Sequence, residues 1–325
     1  MRASEFLNKL LSVSKNGTVA IMGHRSPDFD CIGSCVAMHL VLKQLGIQSE
    51  VFVENNYDPI FKYNAEGVDF CTSTDKTFDV CIVVDCSSAS ILPENLLSVY
   101  NTAKTTFVID HHITNTNFAQ FNYVKQSSSA CEVIFELFKN KITLTPQLAK
   151  NLYLGIYTDT GGFKFSNTTS TTFAVLSCLT KQDIQPDKIV HDCVDLVKRN
   201  YFELTKCAFN SVKFFEDGKI AVSLLTKHDL EANNVERDTA KFMQFYLQNV
   251  EGVKIAVSIS EGQKNEFHIS LRTACDDVDV SAIAKRFGGG GHVRASGLTL
   301  KGELKKALNA LLLECKKSLK GQKAN

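Results

Sequence analysis

The chain has 325 residues, 44% of them hydrophobic and 22% charged, a globular composition with room for two domains of ordinary size. Lys and Arg number 36 against 35 Asp and Glu, so this is no strongly basic nucleic-acid coat, and long duplex nucleic acid is not expected as a partner. No run of 18 apolar residues occurs, which excludes a predicted transmembrane helix and any membrane partner of that kind.

The N-terminal stretch "MRASEFLNKLLSVSKNG" interleaves apolar and polar residues as an amphipathic helix does, unlike a signal peptide. "TVAIMGH" reads as a strand ending at His24. "CIGSCVAMHLVLKQLG" reads as a helix stopped by Gly46, where a left-handed cap suits glycine. "SEVFVE" is a short strand, "FDVCIVVDCSS" an apolar strand ending at Asp85, and "TTFVIDHH" another ending at Asp110, His111 and His112. Strands this apolar suit a parallel sheet covered on both faces, so the first half is expected to be an open α/β sheet.

From about residue 129 the period becomes helical: "SACEVIFELFKN", "PQLAKNLYLGIYTDT", "STTFAVLSCLTKQ" and "PDKIVHDCVDLVKRN", with Pro146 and Pro186 at first-turn positions. A further helix near 199–211 leads to "GKIAVSLL", "VKIAVSIS" and "EFHISLRT", three strands with turns at Asp217-Gly218 and Gly262-Gln263. Residues 279–287 and 303–317 read as helices. The expected organisation is an α/β domain over 1–195, a helical linker over 196–212 and a smaller α+β domain over 213–325. Eleven cysteines without a CxxC pair, several in apolar segments such as those of Cys81, Cys131 and Cys178, read as buried thiols of a cytoplasmic protein.

Three separate strands end on Asp or His, and in open α/β sheets the ligand crevice lies outside the carboxyl ends of the strands. His24, Asp28, Asp30, Asp85, Asp110, His111 and His112 can therefore converge, and Asp159 of "YLGIYTDTGGF" can join them. Each alone has an ordinary explanation: Asp30 before a helix could be only an N-cap, and a single histidine is usually structural. Together they are not ordinary. Unit charges about 4 Å apart repel by about 4 kcal/mol at an effective dielectric near 20, so protons or cations must compensate the carboxylates. Carboxylate plus imidazole ligands suit Mn²⁺, Mg²⁺ or Co²⁺ over structural zinc, and a metal pair supports in-line phosphoester hydrolysis. In the second half, "FGGGGHVRASG" offers backbone N–H groups to an anion. Its glycines 288–291, His292 and Arg272 of "EFHISLRT" could together clamp a phosphate; a flexible linker is the plain alternative.

The segments "GHRSPDFDCIGS", "VVDCSS", "DHHITNTNF", "YLGIYTDTGGFKFSNTT" and "GGGGHVRASG" resemble, in order and over nearly the whole chain, the DHH–DHHA1 phosphoesterase family. Within it the chain is most similar to the nanoRNase/pAp-phosphatase branch. The resemblance implies an active site in a cleft between a DHH and a DHHA1 domain, and two divalent cations, Mn²⁺ foremost. It implies His24 and Asp28 as ligands of one metal, Asp30, His111 and Asp159 as ligands of the other, and Asp85 as the bridge. His112 would face the scissile phosphate and Asp110 would orient a histidine. Arg272, Gly288, Gly289, Gly290, Gly291 and His292 would grip the substrate. The implied substrates are very short oligoribonucleotides, dinucleotides such as pApA, and 3′-phosphoadenosine 5′-phosphate. A cyclic-dinucleotide phosphodiesterase and a non-catalytic nucleotide sensor are the alternatives, and a homodimer stays open. Phe29, Gly162, Lys164 and Ala119 depart from residues frequent in the family, and Phe29 bears on substrate preference.

Overall fold

Short runs that bury every side chain set up the first sheet. In the computed structural model, which describes residues 1–235, 246–262 and 265–320, β1 (Val19–Met22) and β4 (Val80–Val84) are buried throughout and β5 (Thr105–Asp110) at all but its first position. With β2 (Ser49–Phe52), β3 (Phe70–Cys71) and β6 (Phe121–Val124) they form one sheet, ordered β3-β2-β1-β4-β5-β6 and parallel at every pairing. The chain leaves β1 toward β2 and β3, then returns to β4 on the other side of β1. Such a reversal opens a crevice beyond the carboxyl ends of the two central strands.

Eight α-helices accompany this sheet among the described residues: α1 (Ala3–Ser14), α2 (Phe29–Gln44), α3 (Ile60–Asn64), α4 (Leu97–Thr102), α5 (Ala130–Phe138), α6 (Pro146–Asp159), α7 (Ser170–Leu179) and α8 (Pro186–Val190). Successive strand residues feed two cores, as the period of two requires. Val19, Ile21, Ile82 and Val84 pack with α1, α2, α5 and α6, whereas Ala20, Met22, Cys81 and Val83 pack with Leu96 and Val99. Residues 31–38 of α2 are all buried, so this helix has no solvent face over its first turns. Glycine lets it sink so far. A Cβ on Gly33 would lie 2.8 Å from the Asn151 carbonyl, and one on Gly155 of α6 would lie 2.8 Å from Asp30 Oδ1.

The helix starts follow their caps. The side chains of Ser129, Thr145 and Thr169 accept from the backbone N–H groups of Glu132, Leu148 and Thr172, and Pro146 occupies the first turn of α6. Gly46 closes α2 with φ +75°. The helix expected to run on from Pro186 stops at Val190, is followed by one wider turn over His191–Asp195, and becomes extended at Leu196. Cys81 and Cys131 are buried, but Cys178 is exposed on α7, a correction to its reading as core.

The chain divides into compact units at Met1–Leu196 and Val197–Asn325. The stretch expected as a linker forms α9 (Arg199–Asn210), whose Leu204 and Ala208 pack with Ala221, Leu225 and Ala256 of the second unit. There β7 (Lys213–Phe215), β8 (Ile220–Leu225), β9 (Ile255–Glu261), β10 (Glu266–Arg272), β11 (Gly290–His292) and β12 (Ala295–Lys301) form a sheet ordered β11-β12-β10-β9-β8-β7. Only β8 and β9 pair parallel among these strands. Helices Val280–Lys285 and Leu304–Lys320 contribute Ile283, Ala284, Leu311 and Cys315 to its core. Asp217 and Gly218 turn the β7–β8 hairpin with φ +54° and +84°. At the other expected turn Gly262 donates to the Glu266 carbonyl at 2.8 Å, while Gln263 lies outside the described residues. No helix among the described residues is long and apolar enough to cross a membrane.

Candidate metal centre

The ends of β1, β4 and β5 deliver the site. His24 follows β1 by one residue after Gly23. Asp85 follows β4 with φ +51°, a left-handed conformation that a buried Asp tolerates better than most residues. Asp110 is the last residue of β5, and His111 and His112 follow it. Asp30 lies in the first turn of α2 and Asp159 ends α6.

These side chains meet. His24 Nε2 is 3.5 Å from Asp85 Oδ2, and His111 Nε2 is 3.4 Å from Asp85 Oδ1, 3.6 Å from Asp159 Oδ2 and 4.0 Å from Asp30 Oδ2. Three groups have ligand atoms within 4.8 Å of one another: His24, Cys31 and Asp85; Asp30, His111 and Asp159; Asp85, Asp110, His111 and His112. Asp85 and His111 each belong to two of them. Asp28 lies outside all three. It is the N-cap of α2, its Oδ1 accepting from the backbone of Asp30 and Cys31 at 3.0 Å. The capping residue is therefore Asp28, two positions before the Asp30 for which that role was considered.

The surrounding hydrogen bonds orient the donors. His24 Nδ1 donates to the Arg25 carbonyl at 2.8 Å and His111 Nδ1 to the Ser127 carbonyl at 3.3 Å, so both present Nε2 to the carboxylates. Asp30 accepts from the first N–H groups of α5, Ala130 at 2.7 Å and Cys131 at 3.0 Å. Asp110, fully buried, accepts from His112 Nδ1 at 2.8 Å, His111 N at 2.8 Å and Asn115 Nδ2 at 2.5 Å. The His112 ring, 41% exposed, has its other nitrogen left for a ligand.

The electrostatics ask for positive charge. Burial first, then Asp85, raises the pKa of Asp28, and burial, Asp85 and Asp159 raise that of Asp30 well above the ordinary carboxylate value. Asp159 is pushed up to about 6 by burial, with Asp85 and Asp28 adding repulsion against the pull of His111. Burial opposes charge on Asp85, yet His111 and His24 hold its pKa below the usual range. Burial likewise opposes charge on His24 and His111, and their neighbours, Cys31 and Asp85 for the first and Asp85 and Asp30 for the second, outweigh it, to about 12 and about 10; Cys35 and burial in turn push the Cys31 thiol well up. Asp85 Oδ1 is buried with no hydrogen-bond partner, an expensive state for a carboxylate oxygen unless a cation meets it. Hard oxygen and imidazole donors around that atom fit divalent cations.

The second unit arranges its own set. Arg272 pairs with Ala295, and Ala295 with His292, across three neighbouring strands. Residues directly opposite share a face, so Arg272 and His292 project to the same side with one small side chain between them. Burial lowers the pKa of Arg272, whose Nη1 donates to the Leu271 carbonyl at 2.9 Å. Glycine is obligatory at 289 and 291. A Cβ on Gly289 would lie 2.3 Å from the Gly297 carbonyl, and Gly291 has φ +136° with Ala295 O 2.6 Å from its would-be Cβ, whereas Gly290 faces open space. His292 is exposed.

The sequence did not disclose several supporting residues. Cys31 stands in an apolar helix and reads as core. Asn115 bridges Asp110 to the Cys86 carbonyl at 3.0 Å; its only signal is a polar residue three places after His112. Buried Glu132 accepts from Ser127 at 2.5 Å, behind the carbonyl that orients His111. Phe29 packs edge-on against Phe61, centroids 5.1 Å apart.

Comparison with known proteins bears on the domains and the fold. Residues 18–156 match the model for the DHH family, N-terminal domain, and residues 217–318 match that for the DHHA1 domain. The "Bifunctional oligoribonuclease and PAP phosphatase NrnA" of Mycoplasma genitalium is 28% identical over 327 residues, covering 98% of this chain and 99% of its own. The Bacillus subtilis protein of that name is 25% identical, covering 89% and 91%. A crystal structure of an exopolyphosphatase-related protein from Bacteroides fragilis superposes with a TM-score of 0.87 at 20% identity, over 98% of each chain, and shares the fold.

Proposed function

The chain belongs to the DHH–DHHA1 family, and from that membership and the carboxylate–imidazole cluster we propose that it is a metal-dependent phosphoesterase acting on very short oligoribonucleotides. Its substrates are dinucleotides such as pApA and, by phosphomonoester hydrolysis, 3′-phosphoadenosine 5′-phosphate. Relatives named for both activities, matched over nearly their full length, support this reading. The observation that carries it is Asp85: buried, left-handed, within reach of His24 and His111 at once, and with one oxygen that accepts no hydrogen bond.

His24 and Asp28 are assigned to one cation, Asp30, His111 and Asp159 to a second, and Asp85 to both, with Mn²⁺ foremost. Divalent cations bound there supply charge neutralisation for the phosphoryl group and an acidified water for in-line attack. The chain's own residues do the rest. Asp110 accepts from His112 Nδ1 and raises the pKa of the ring, favouring the doubly protonated form whose Nε2–H donates to a phosphate oxygen. Arg272, His292 and the 288–291 backbone bind the distal phosphate or terminal nucleotide. Eleven free thiols suit a reducing compartment such as the cytoplasm.

The test is Mn²⁺-dependent turnover of pApA, a 5-nucleotide RNA, c-di-AMP and 3′-phosphoadenosine 5′-phosphate side by side. Rapid release of mononucleotides from pApA and the RNA, with c-di-AMP slow, is expected. Preferential opening of c-di-AMP would replace the substrate class, and binding without turnover of any would make the protein a sensor.

A further inference from the structure

Cys31 has no part in the function proposed above, yet its Sγ, a His24 ring nitrogen and an Asp85 oxygen lie within 4.8 Å of one another. The thiol is held there. A Cβ on residue 23 would come within 2.1 Å of Cys31 Sγ, so Gly23 lets the end of β1 close over the sulfur. The residue is buried in the first turn of α2. A cavity of about 10 Å³, lined in part by His24, Cys31 and Cys35, adjoins it; that is room for about one small sphere. On this side Asp85 presents Oδ2, 3.5 Å from His24 Nε2, while its Oδ1 faces His111 and His112.

We propose that His24, Cys31 and Asp85 form a thiophilic corner of the metal centre, which binds soft or borderline divalent cations such as Zn²⁺, Co²⁺ and Cd²⁺ with Cys31 as a sulfur ligand. The inference rests on the reading of His24 and Asp85 as cation ligands. Mn²⁺ and Mg²⁺ gain little from sulfur and are held by the oxygen and nitrogen donors alone, whereas a thiophilic ion gains a strong bond from the same corner. Binding such an ion releases the thiol proton to solvent as the sulfur–metal bond forms. The centre thus distinguishes hard from soft ions by one side chain, and a soft ion that occupies it competes with Mn²⁺ for His24 and Asp85.

The experiment uses the full-length, metal-free protein. One equivalent of Zn²⁺ is added and X-ray absorption at the zinc edge is recorded. A sulfur scatterer at about 2.3 Å is expected; a shell of only nitrogen and oxygen near 2.0–2.1 Å overturns the inference. Co²⁺ titration then identifies the sulfur among eleven. Wild-type protein should show a near-ultraviolet sulfur-to-cobalt charge-transfer band that Cys31→Ser and Cys31→Ala lack, and Cd²⁺ affinity should fall at least roughly tenfold in both, the lower end of the effect of even outer-sphere changes. An undiminished band in the folded variants overturns the assignment to Cys31. Mn²⁺ binding, followed by electron paramagnetic resonance, separates the two levels. Wild type that binds Mn²⁺ but shows no sulfur ligation refutes the thiophilic corner alone, and wild type that binds neither ion refutes the metal centre with it.

Discussion

Asp85 carries the largest single consequence. Among the described residues it is the one carboxylate in ion-pair reach of both His24 and His111, so Asp85→Asn should lose more activity than the roughly 10–100-fold typical of a residue one layer out. Steady-state turnover of pApA in Mn²⁺ checks this, with circular dichroism confirming the fold. Asp110→Asn should behave differently. It keeps the shape but weakens the hydrogen bond to His112 Nδ1, so kcat should drop by about 10–100-fold while Mn²⁺ affinity, measured by calorimetry, stays close to wild type. The main donors were legible because each ends an apolar run: His24 after "TVAIM", Asp85 after "CIVV", His111 and His112 after "TTFVID". Cys31 was not, because a cysteine in "CIGSCVAMHLVL" is indistinguishable from packing material until Gly23 is seen to lie against it. Glu132 and Asn115 act through hydrogen bonds that no local pattern announces.

Helix α2 ties the site to the core. Its first turn supplies Asp30 and, together with Cys131 of α5, packs so tightly on α6 that Gly155 has no room for a methyl group: an added Cβ would lie 2.8 Å from Asp30 Oδ1 and 2.4 Å from Cys131 Sγ. Gly155→Ala should therefore destabilise the fold by about 1–3 kcal/mol, the usual cost of overpacking, despite alanine's better helix propensity. It should also weaken Mn²⁺ binding through Asp30. Thermal denaturation with and without Mn²⁺ reads both effects, and an unchanged melting temperature would contradict the packing argument. The strong elements were readable for the same physical reason. β1, β4, β5 and α2 are apolar because they are covered on every side. The peripheral ones were not: β3 has two residues, β6 is half exposed, and β11 is Gly-Gly-His, which has no strand propensity and is held by its pairing with β12.

Taken as a whole molecule, the first unit concentrates buried acid at the reversal of its parallel sheet, and the second carries an arginine, a histidine and a glycine turn on an independent sheet. Cations that bind the folded centre and not the unfolded chain must stabilise the first unit, by about 2.7 kcal/mol at 100 times the dissociation constant. Addition of Mn²⁺ to metal-free protein should raise the melting temperature, and EDTA should reverse the gain. The α/β class was visible in the alternation of strand and helix signals. The limits of the second unit were harder to see, because α9 reads as a connector but buries Leu204 and Ala208 against the second sheet. The measurement that bears most directly on the account is pApA hydrolysis followed while metal-free protein is titrated with Mn²⁺ and bound ion is counted. Turnover that is absent without metal and reaches its plateau as a second equivalent binds is the predicted result. Full turnover in EDTA, or a plateau at one equivalent, would contradict a two-cation centre built on Asp85.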